Sequence, residues 1–440
     1  MDSSIPSSDL RRAEVSDGSR RGVEPILVSY QASQSPSGRV TYVTFRFDVV
    51  VVGGCGHVGL PLAIAFADRG LATLVYDINQ GSVDAVNAAR LPFDEPGAQP
   101  VLDQVIANGR LVASADPAVV SDAEHVVVVI GTPVDEHLNP DARAVPDAVR
   151  ALVPHLRAGQ LLVLRSTVFP GVTAIVEREL AAAIDGVDVA FCPERIAEGK
   201  AMTELYELPQ IVSGRTDEIR ARADKLFSTL TNQTVHLSPE EAELAKLFTN
   251  TWRYIKFAAS NQLFMMANDF GLDFERIRSA LAFEYPRAQD IPRAGFAAGP
   301  CLFKDTMQLA AFNDNKFVLG HSAMLVNEGM PLYVVSKMAE RFPNIDTKTV
   351  GILGMAFKAE SDDTRSSLSY KLRRILRFKA GEVLCADPYV TTDPALHPHE
   401  HVLAHADILV IGAPHERYRN LVTDKPVVDI WGITGRGVRV

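Results

Sequence analysis

The sequence is poor in cysteine, in tryptophan and in long apolar runs. Four cysteines and two tryptophans occur among its 440 residues. Four cysteines in a chain of this length, with no Cys-x-x-Cys pair, form neither the dense disulfide framework of small secreted domains nor an obvious zinc site. No apolar run approaches the roughly 20 residues that a membrane-spanning helix needs. We therefore expect a cytoplasmic protein with no membrane span and no bound metal.

The chain also lacks an excess of positive charge. Its 44 Lys and Arg residues are outnumbered by 54 Asp and Glu, which gives a formal net charge of −10. Because nucleic-acid binding relies on basic patches, we expect no nucleic-acid partner. The remaining composition is ordinary for a globular protein, with 47% hydrophobic and 22% charged residues. A chain of this length is long enough for two or three domains.

The first part of the chain differs from the rest. Residues 1–46 are polar and rich in Ser, Arg and Gly, and the pair Arg11-Arg12 precedes no apolar stretch, so we expect no twin-arginine signal. This composition favours a flexible extension. Ordered structure is predicted to begin at Phe47-Asp-Val-Val-Val-Val-Gly53, an apolar run ending in glycine that is typical of a buried parallel strand.

Two alternating strand–helix units flank a long helical region. The first follows Phe47 and the second begins near Thr349, so we predict an α/β fold with two Rossmann-like doubly wound domains joined by a central long-helix region. The central helix is predicted to start at Pro239, with Ser238 as its N-cap. Two interpretations of it stay open: a pair of helices broken near Gly271, or one connecting spine that also mediates dimerisation.

A glycine-rich turn follows the first predicted strand. Gly54-Cys-Gly-His-Val-Gly59 has the spacing of a dinucleotide site, which needs a tight turn, close approach of a pyrophosphate and packing of a helix on a strand. Asp77 ends the second strand, roughly 20 residues on, where a carboxylate binds an adenosine ribose and repels a 2′-phosphate. We predict NAD rather than NADP, and a glycine turn without a nucleotide is the alternative. The predicted cofactor contacts are Gly54, Gly56, His57, Val58, Gly59, Asp77, Thr132 and Thr167.

Cys301 is the most informative residue. It lies in Gly295-Phe-Ala-Ala-Gly-Pro-Cys-Leu-Phe-Lys-Asp-Thr306, where Pro300 fits the first turn of a helix. The pKa of a thiol falls at the positive end of a helix, and Lys304 or Lys246 would lower it further. A nucleophilic cysteine beside a nicotinamide site indicates an enzyme that oxidises an alcohol past the aldehyde to the acid. The alternative is a small buried hydrophobe, which is how we interpret the other three cysteines.

Polar residues in two other segments suit the same chemistry. Lys246 and Asn250 lie about one helical turn apart and could hold an oxyanion or orient a reacting alcohol. A solvated lysine and an inward-facing asparagine are the alternative. Glu194 and Glu198 follow a predicted strand, at the edge where ligand-binding loops lie in open α/β sheets.

Taken together, these motifs resemble the UDP-glucose/GDP-mannose dehydrogenase family, in matching order from about Val49 to Gly432. The segments that carry the resemblance are Pro193-Glu-Arg-Ile-Ala-Glu-Gly199, Ala242-Glu-Leu-Ala-Lys-Leu-Phe-Thr-Asn250, Gly299-Pro-Cys-Leu-Phe-Lys-Asp-Thr306 and Phe357-Lys-Ala-Glu-Ser-Asp-Asp-Thr-Arg365. Pro193-Glu-Arg195, Tyr285-Pro-Arg287 and Asp429-Ile-Trp431 are more similar to the branch that acts on UDP-N-acetylhexosamines.

The resemblance implies a domain layout and a reaction. The implied domains are the extension 1–46, an NAD-binding Rossmann domain 47–237, a central dimerisation region 238–335 with the cysteine loop, and a UDP-sugar-binding domain 336–440. The implied reaction is a four-electron oxidation of the C6 alcohol of a UDP-hexose to the UDP-uronic acid. It uses two NAD per turnover and serves polysaccharide or glycoconjugate biosynthesis. The implied partners are the UDP-sugar and a second copy of the chain in a homodimer.

The resemblance also assigns site residues. Cys301 would attack the aldehyde, and the resulting thiohemiacetal would be oxidised to a thioester that water hydrolyses. The implied catalytic residues are Cys301, Lys246, Asn250, Asp305, Thr167 and Glu194, the last two positioning water together with Asp305. The implied substrate contacts are Glu198, Lys246, Asn250, Tyr285, Arg287, Gly295, Phe296, Lys358 and Arg365. Arg365 is expected to reach the diphosphate in a partner subunit's site.

Two other functions stay open. A single-step 3-hydroxyacid-type NAD dehydrogenase also pairs a Rossmann domain with Lys and Asn on a helix, but it needs neither Cys301 nor a second α/β domain. A non-catalytic nucleotide-sugar-binding protein would not need the reactive side chains at all. The histidines between His397 and His405 have spacing that resembles a metal site, but they follow a predicted strand without a partner cysteine, so we predict a solvated segment.

Overall fold

The computed structural model describes residues 30–34, 40–132, 141–435 and 440. The strands are β1 (Tyr30–Gln34), β2 (Val40–Thr44), β3 (Phe47–Val52), β4 (Thr73–Tyr76), β5 (Leu111–Ser114), β6 (Ala123–Val128), β7 (Leu161–Leu164), β8 (Asp188–Phe191), β9 (Gln210–Gly214), β10 (Thr234–Leu237), β11 (Thr349–Leu353), β12 (Glu382–Ala386), β13 (Ile408–Ile411) and β14 (Val427–Val428). The helices are α1 (Gly59–Asp68), α2 (Gln80–Asn87), α3 (Ala98–Ala107), α4 (Ala144–Leu152), α5 (Val172–Ala183), α6 (Ala201–Glu207), α7 (Asp217–Phe227), α8 (Pro239–Asp269), α9 (Phe274–Ala282), α10 (Leu302–Phe312), α11 (Val318–Arg341), α12 (Leu368–Leu376) and α13 (His399–His405).

The N-terminal half is built on one eight-stranded sheet with the order β10-β9-β8-β7-β6-β3-β4-β5. Strands β3 to β8 are all parallel, and their order places the switch point of a doubly wound sheet between β3 and β6. β9 runs antiparallel to β8, an edge arrangement that the sequence did not predict. β6 and β7 are buried along their whole length, as expected for strands covered by helices on both faces.

The C-terminal part carries a smaller parallel sheet with the order β12-β11-β13-β14. Its switch point lies between β11 and β13, where the chain crosses from one face of the sheet to the other. The predicted α/β class with two doubly wound domains is therefore confirmed. In both sheets, the polar residues that follow the parallel strands collect at the carboxyl edge.

The central region begins with the predicted helix start. Ser238 and Glu241 form a capping box, and Pro239 occupies the first turn of α8. The helix ends at Asp269, and Gly271 adopts φ +70° before α9 begins. Of the two interpretations of this region, the pair of helices broken near Gly271 is confirmed. α8 packs against α10 and α11, so it carries the Cys301 helix on one side.

The predicted flexible extension, 1–46, lies largely outside the described residues. Its described segments β1 and β2 pair antiparallel, with Tyr30 opposite Thr44. Phe45 is buried, and the guanidinium of Arg157 lies 4.2 Å from the centre of its ring. Arg157 also donates to the carbonyl of Thr44 at 2.8 Å, which anchors the chain to the first sheet domain from this point on.

The described residues can be searched for a membrane-spanning helix and for a metal-binding group. Among them, we find no helix with the length and hydropathy required to cross a membrane. The same part of the chain brings no three His, Cys, Asp or Glu side chains together as a metal-binding group. His401 instead stacks on His397 and His405, with ring centres 5.1 and 4.1 Å away.

Candidate active site

The glycine turn between β3 and α1 is open on one side and closed on the other. A Cβ atom on Gly59 would lie 2.7 Å from the carbonyl oxygen of Gly53, so α1 packs directly on the turn. A Cβ atom on Gly56 would have no atom nearer than the same oxygen at 3.8 Å. The open face at Gly56 fits a pyrophosphate, which would lie at the positive end of α1.

Asp77 borders this turn. Its Oδ2 accepts the N–H of Cys55 at 3.0 Å, and its Oδ1 accepts the N–H of Asn79 at 3.0 Å. The carboxylate is half-buried, and each oxygen keeps a free acceptor site. Hydroxyl groups of a ribose could therefore bind there, as the sequence predicts. The ring of His57 packs at a tilt against Phe93, with ring centres 4.2 Å apart, and burial lowers the pKa of His57.

Cys301 directly precedes α10 and lies near residues of α8. It is the N-cap residue of α10, so its predicted place at a helix start is confirmed. Pro300 precedes the N-cap, so its expected place in the first turn of the helix is wrong. Asn250 donates to Oδ2 of Asp305 at 2.5 Å, which ties the two helices together. Lys246, one turn before Asn250, is buried within electrostatic range of Asp305 and Cys301. The alternative of a solvated Lys246 is therefore wrong.

Asp305 is fully buried, and its second oxygen has spare capacity. No described residue donates a hydrogen bond to Oδ1, and the ammonium of Lys304 lies 3.4 Å away. Leaving a buried acceptor without a donor costs about 1–3 kcal/mol. A hydroxyl group or water that donates to Oδ1 would remove this cost, so Oδ1 marks where a reacting group fits.

Lys304 connects the cysteine helix to the cofactor side. Its ammonium donates to Oγ1 of Thr132 at 2.9 Å, and Thr132 lies just beyond β6. The sequence predicts for Lys304 only an effect on the pKa of the Cys301 thiol. Its spacing in the Cys-x-x-Lys-Asp segment could have indicated a direct contact within the site, because residues one turn apart on a helix face the same neighbours.

The thiol pKa differs from the prediction. Burial raises the pKa of Cys301, and the Asp305 carboxylate raises it further, against the opposing effects of Lys304 and Lys246. Cys301 is reachable by solvent, but the protein atoms around the thiol disfavour its charged form. The expected lowering by the helix start and the lysines is wrong, because desolvation and one nearby anion outweigh them. The other three cysteines are buried, as the sequence predicts.

Glu194 follows β8 and is held rigidly. Its Oε2 pairs with the guanidinium of Arg165, and its Oε1 accepts the N–H groups of Arg195 and Ile196 at 2.7 and 3.0 Å. The carboxylate lies within electrostatic range of Lys246. Arg165 was not among the predicted site residues, because a single arginine after an apolar run carries no signal of its own.

Thr167 stands at the same sheet edge. It follows β7, which lies between β6 and β8, so Thr167 lies between the Thr132 segment and the Glu194 segment. Its side chain is half-buried. Since the carboxyl ends of neighbouring parallel strands meet at one edge, these three residues lie along the same edge of the sheet.

The C-terminal domain contributes cations to the same centre. The ammonium of Lys358 donates to the carbonyl of Glu198, and the guanidinium of Arg365 lies 3.5 Å from Oε2 of Glu198. Arg365 also forks onto Asp363 at 2.6 to 3.0 Å. Lys358 and Arg365 both lie within electrostatic range of Cys301 of the same chain. The predicted reach of Arg365 into a partner's site stays a prediction.

Glu198 is the third charged group at this junction. Burial raises the pKa of Glu198 to about 7, although Lys358 and Arg365 act to lower it. Glu198 lies on the N-terminal domain and both cations lie on the C-terminal domain. Its protonation state therefore depends on how closely the two domains approach.

The remaining predicted substrate contacts divide into two groups. Gly295 adopts φ +157°, and a Cβ atom there would lie 2.2 Å from the ring of Trp431. Phe296 meets the same ring edge-on, with centres 6.2 Å apart, so the cysteine loop rests on the C-terminal domain. Tyr285 and Arg287 are exposed, and Arg287 donates to the Tyr285 hydroxyl at 2.9 Å. In the part of the chain that the structure describes, no hydrogen bond or ion pair links them to Cys301.

Comparisons with known proteins agree with this geometry. Three domain models of the UDP-glucose/GDP-mannose dehydrogenase family match in order: the NAD binding domain at residues 48–231, the central domain at 240–328 and the UDP binding domain at 351–436. A UDP-N-acetyl-D-mannosamine dehydrogenase from Yersinia pestis is 28% identical over 89% of this chain and 99% of its own length.

Two solved structures share the fold. The UDP-D-ManNAc dehydrogenase of Pyrococcus horikoshii superposes with a TM-score of 0.82 at 26% identity, covering 88% of this chain and 96% of that one. A UDP-glucose dehydrogenase from Pyrobaculum islandicum gives a TM-score of 0.82 at 27% identity, covering 87% of this chain and 94% of that one.

Proposed function

Because the chain belongs to the UDP-glucose/GDP-mannose dehydrogenase family, we propose that it oxidises the C6 alcohol of a UDP-hexose to the UDP-uronic acid, using two NAD per turnover. The observation that carries this proposal is that the solvent-accessible Cys301 lies beside the buried side chains of Lys246, Asn250 and Asp305. Lys304 and Thr132 link this centre to the cofactor side. A thiol in this place serves a reaction that goes past the aldehyde.

The first oxidation removes a hydride from C6 and a proton from its hydroxyl. NAD, which this family uses, supplies the hydride acceptor, and Gly56, Asp77 and Thr132 would hold it at the carboxyl edge of the sheet. We propose that Lys246 and Asn250 orient the C6 oxygen. Burial lowers the pKa of Lys246, which makes proton exchange at this ammonium easier while it remains a donor to the developing negative charge.

The second oxidation depends on Cys301. Its thiolate adds to the C6 aldehyde, giving a thiohemiacetal whose oxygen faces the Lys246 ammonium. Loss of a second hydride converts the thiohemiacetal to a thioester, and water then releases the uronate and the thiol. The raised pKa of Cys301 means that the bare site holds a thiol, so attack requires loss of its proton to a nearby group such as Asp305 or water.

Hydrolysis needs a positioned water. We propose that Thr167, Glu194 and Asp305 provide it, with Oδ1 of Asp305 as the oxygen that has free acceptor capacity. Both oxygens of Glu194 already accept two donors each. Glu194 therefore either shares one oxygen with the water or acts as a fixed negative charge beside Lys246.

The substrate class follows from the C-terminal cations. We propose that Lys358 and Arg365 bind the diphosphate, because a guanidinium and an ammonium near Cys301 suit a phosphate group. We also propose a UDP-N-acetylhexosamine as the preferred sugar, with UDP-glucose second. A single-step hydroxyacid dehydrogenase is not favoured, since it would use neither the Cys301 centre nor the second sheet. A non-catalytic binding protein is not favoured either, since it would not need this centre.

We further propose that the enzyme is a homodimer that works in the reducing cytoplasm, where Cys301 stays a thiol. One face of α8 carries exposed apolar side chains at helical spacing, so they could pack against a helix of a partner subunit. They are Phe248, Trp252, Leu263 and Met266, and Phe270 follows directly after the last residue of the helix. Met266→Glu should give a monomer in light scattering, whereas a change of the exposed Arg253 to Glu should not. A wild-type monomer would contradict the dimer.

The proposed reaction is tested by counting NADH per sugar consumed. The assay compares UDP-glucose, UDP-galactose, UDP-N-acetylglucosamine and UDP-N-acetylmannosamine. We expect two NADH for each UDP-sugar oxidised, with faster turnover of an N-acetylated sugar. One NADH per sugar would contradict the four-electron reaction, and faster turnover of UDP-glucose would contradict the substrate preference.

A further inference from the structure

Arg165 is a fully buried arginine directly behind the catalytic residues. It follows β7 and immediately precedes Ser166 and Thr167. Its side chain has 0% of its surface exposed, and its guanidinium lies 4.6 Å from the centre of the Phe227 ring. Placing a charged group here costs several kcal/mol unless it is well paired, so its partners reveal what it does.

The guanidinium makes contacts on every side. Its Nε and Nη2 both donate to Oε2 of Glu194, the first at 3.0 Å. Its Nη1 donates to the carbonyl of Cys192 at 2.9 Å, and Nη2 also donates to Oε1 of Gln210 at 2.9 Å. Cys192 and Gln210 fix the fork in place, and Glu194 is the only acidic side chain that it contacts among the described residues.

The same contacts fix the carboxylate. Two guanidinium N–H groups occupy one oxygen of Glu194, and the N–H groups of Arg195 and Ile196 occupy the other. An ionised carboxylate offers about four acceptor sites, so this one cannot rotate without losing a bond. All four bonds require the carboxylate form, because a protonated oxygen would face a donor.

We propose that Arg165 is a positioning residue for UDP-sugar oxidation: it holds the Glu194 carboxylate ionised and in one orientation beside Lys246. The inference rests on the proposed function, in which Glu194 serves hydrolysis. Whether Glu194 contacts the water or acts through its charge, it must be ionised and fixed. Without the guanidinium, this buried carboxylate would lose two of its four hydrogen-bond donors and the positive charge that faces it.

The test is a pH profile of uronate formation for wild type, Arg165→Met and Arg165→Lys. In the pH profile of Arg165→Met, we expect the rate to fall off on the acid side at a pH higher than in wild type by about one unit or more. One pH unit corresponds to a tenfold change in proton binding. Its rate should rise at high pH but stay below that of wild type, because the fork that orients Glu194 is lost. Arg165→Lys restores the positive charge, so its acid limb should return towards that of wild type, with a lower maximal rate because the fork is lost.

A double variant separates positioning from general stabilisation. If Arg165 acts through Glu194, then Arg165→Met/Glu194→Gln should be no slower than Glu194→Gln alone, within about threefold. The double variant removes both charges and leaves no buried unpaired carboxylate, so it should fold even if Arg165→Met does not. Circular dichroism and the melting temperature verify the fold of each variant.

The outcomes are distinct. An unshifted acid limb in folded Arg165→Met, or a further loss of tenfold or more in the double variant relative to Glu194→Gln, would overturn the inference. In either case, wild type still yields two NADH per UDP-sugar. If wild type yields no NADH from any of the four UDP-sugars, the proposed function itself fails, which is a different result.

Discussion

The two doubly wound sheets open with the same kind of turn. β3 leads into Gly53 with φ +72°, and β11 leads into Gly354 with φ +97°. A Cβ atom on Gly53 would lie 2.2 Å from the carbonyl oxygen of Val129, and one on Gly354 would lie 2.5 Å from the nitrogen of Ala413. In both domains, only glycine allows the turn to pass this close to the end of the neighbouring strand.

An aspartate follows the second strand of each unit and accepts N–H groups from the turn. Asp77 accepts from Cys55 at 3.0 Å. Asp387 accepts from Met355 at 2.6 Å and from Ala356 at 3.0 Å. The two halves of the molecule thus share a strand, a glycine turn and a carboxylate in the same arrangement.

The surroundings of the two carboxylates differ. His415, which follows β13, donates through Nε2 to Asp387 at 3.1 Å, while its Nδ1 accepts the N–H of Glu360 at 3.0 Å. The Asp387 side chain is 0% exposed, whereas Asp77 is half-buried with free acceptor sites. Burial acts to raise the pKa of Asp387, but hydrogen bonds from His415 and the backbone outweigh it and hold the pKa below its usual range. Asp77 can therefore accept hydrogen bonds from a ligand, whereas Asp387 serves only to hold the C-terminal domain together.

The largest effect on stability should come from removing the Asp387 carboxylate. Asp387→Ala leaves His415 and several buried N–H groups without an acceptor, so we expect a loss of about 3–5 kcal/mol in the free energy of unfolding. NAD affinity should not change in the protein that stays folded. Denaturant unfolding and an NAD titration measure both quantities. A stable variant with weakened NAD binding would show that the two carboxylates do not have separate roles.

The open carboxylate should respond in the opposite way. Asp77→Ala removes the ribose acceptor, so we expect NAD affinity to fall by about 10- to 100-fold and discrimination against NADP to weaken. The free energy of unfolding should change by less than about 1 kcal/mol. Asp84→Ala, an exposed carboxylate on α2, is the matched control and should leave NAD affinity unchanged. Equal affinities for NAD in all three proteins would remove Asp77 from the cofactor site.

The smallest effect should appear where the two domains meet. The pKa of Glu198 is raised to about 7 from an ordinary value of 4.5, so the folded state binds its proton more tightly than the unfolded state does. Stability from this group is present below pH 4.5 and is lost as the pH rises through 7. Glu198→Gln should therefore be more stable than wild type at pH 8, by about 1–2 kcal/mol after allowance for screening, with no difference near pH 4.

Thermal unfolding at several pH values measures this difference. A Glu204→Gln variant, changed at another carboxylate of the same segment, is the control for a general charge effect. A stability gain of Glu198→Gln that is independent of pH would show that the domains do not bury this carboxylate as the structure indicates.

Sequence reasoning reached the features that depend on local spacing. The turn at Gly54–Gly59, the helix start at Pro239 and the place of Cys301 before α10 each follow from residues close together in the chain. The raised pKa of Cys301 could not be predicted, because it depends on how the folded chain surrounds the thiol and on the strength of the nearby Asp305 charge. The antiparallel direction of β9, the second strand from that edge of the sheet, was missed for a similar reason, since it is set by packing against β8.

The roles of Arg165 and His415 also could not be predicted from the sequence. Arg165 is a single charged residue after an apolar strand, and its partner Glu194 follows a different strand. His415 is paired with Asp387 only because β11, β12 and β13 end at one edge of the sheet. Contacts of this kind join the ends of separate strands, so they become visible only when the strand order is known.

The most direct test of the four-electron reaction is a single-turnover count of NADH for wild type and Cys301→Ser. With enzyme in excess over UDP-sugar and NAD in excess over both, wild type should release two NADH and one uronate per sugar. Cys301→Ser should release at most one NADH per sugar, because the thiohemiacetal cannot form. Its uronate formation should be far slower than that of wild type. Two NADH and uronate formed by Cys301→Ser at the wild-type rate would contradict the covalent role of Cys301.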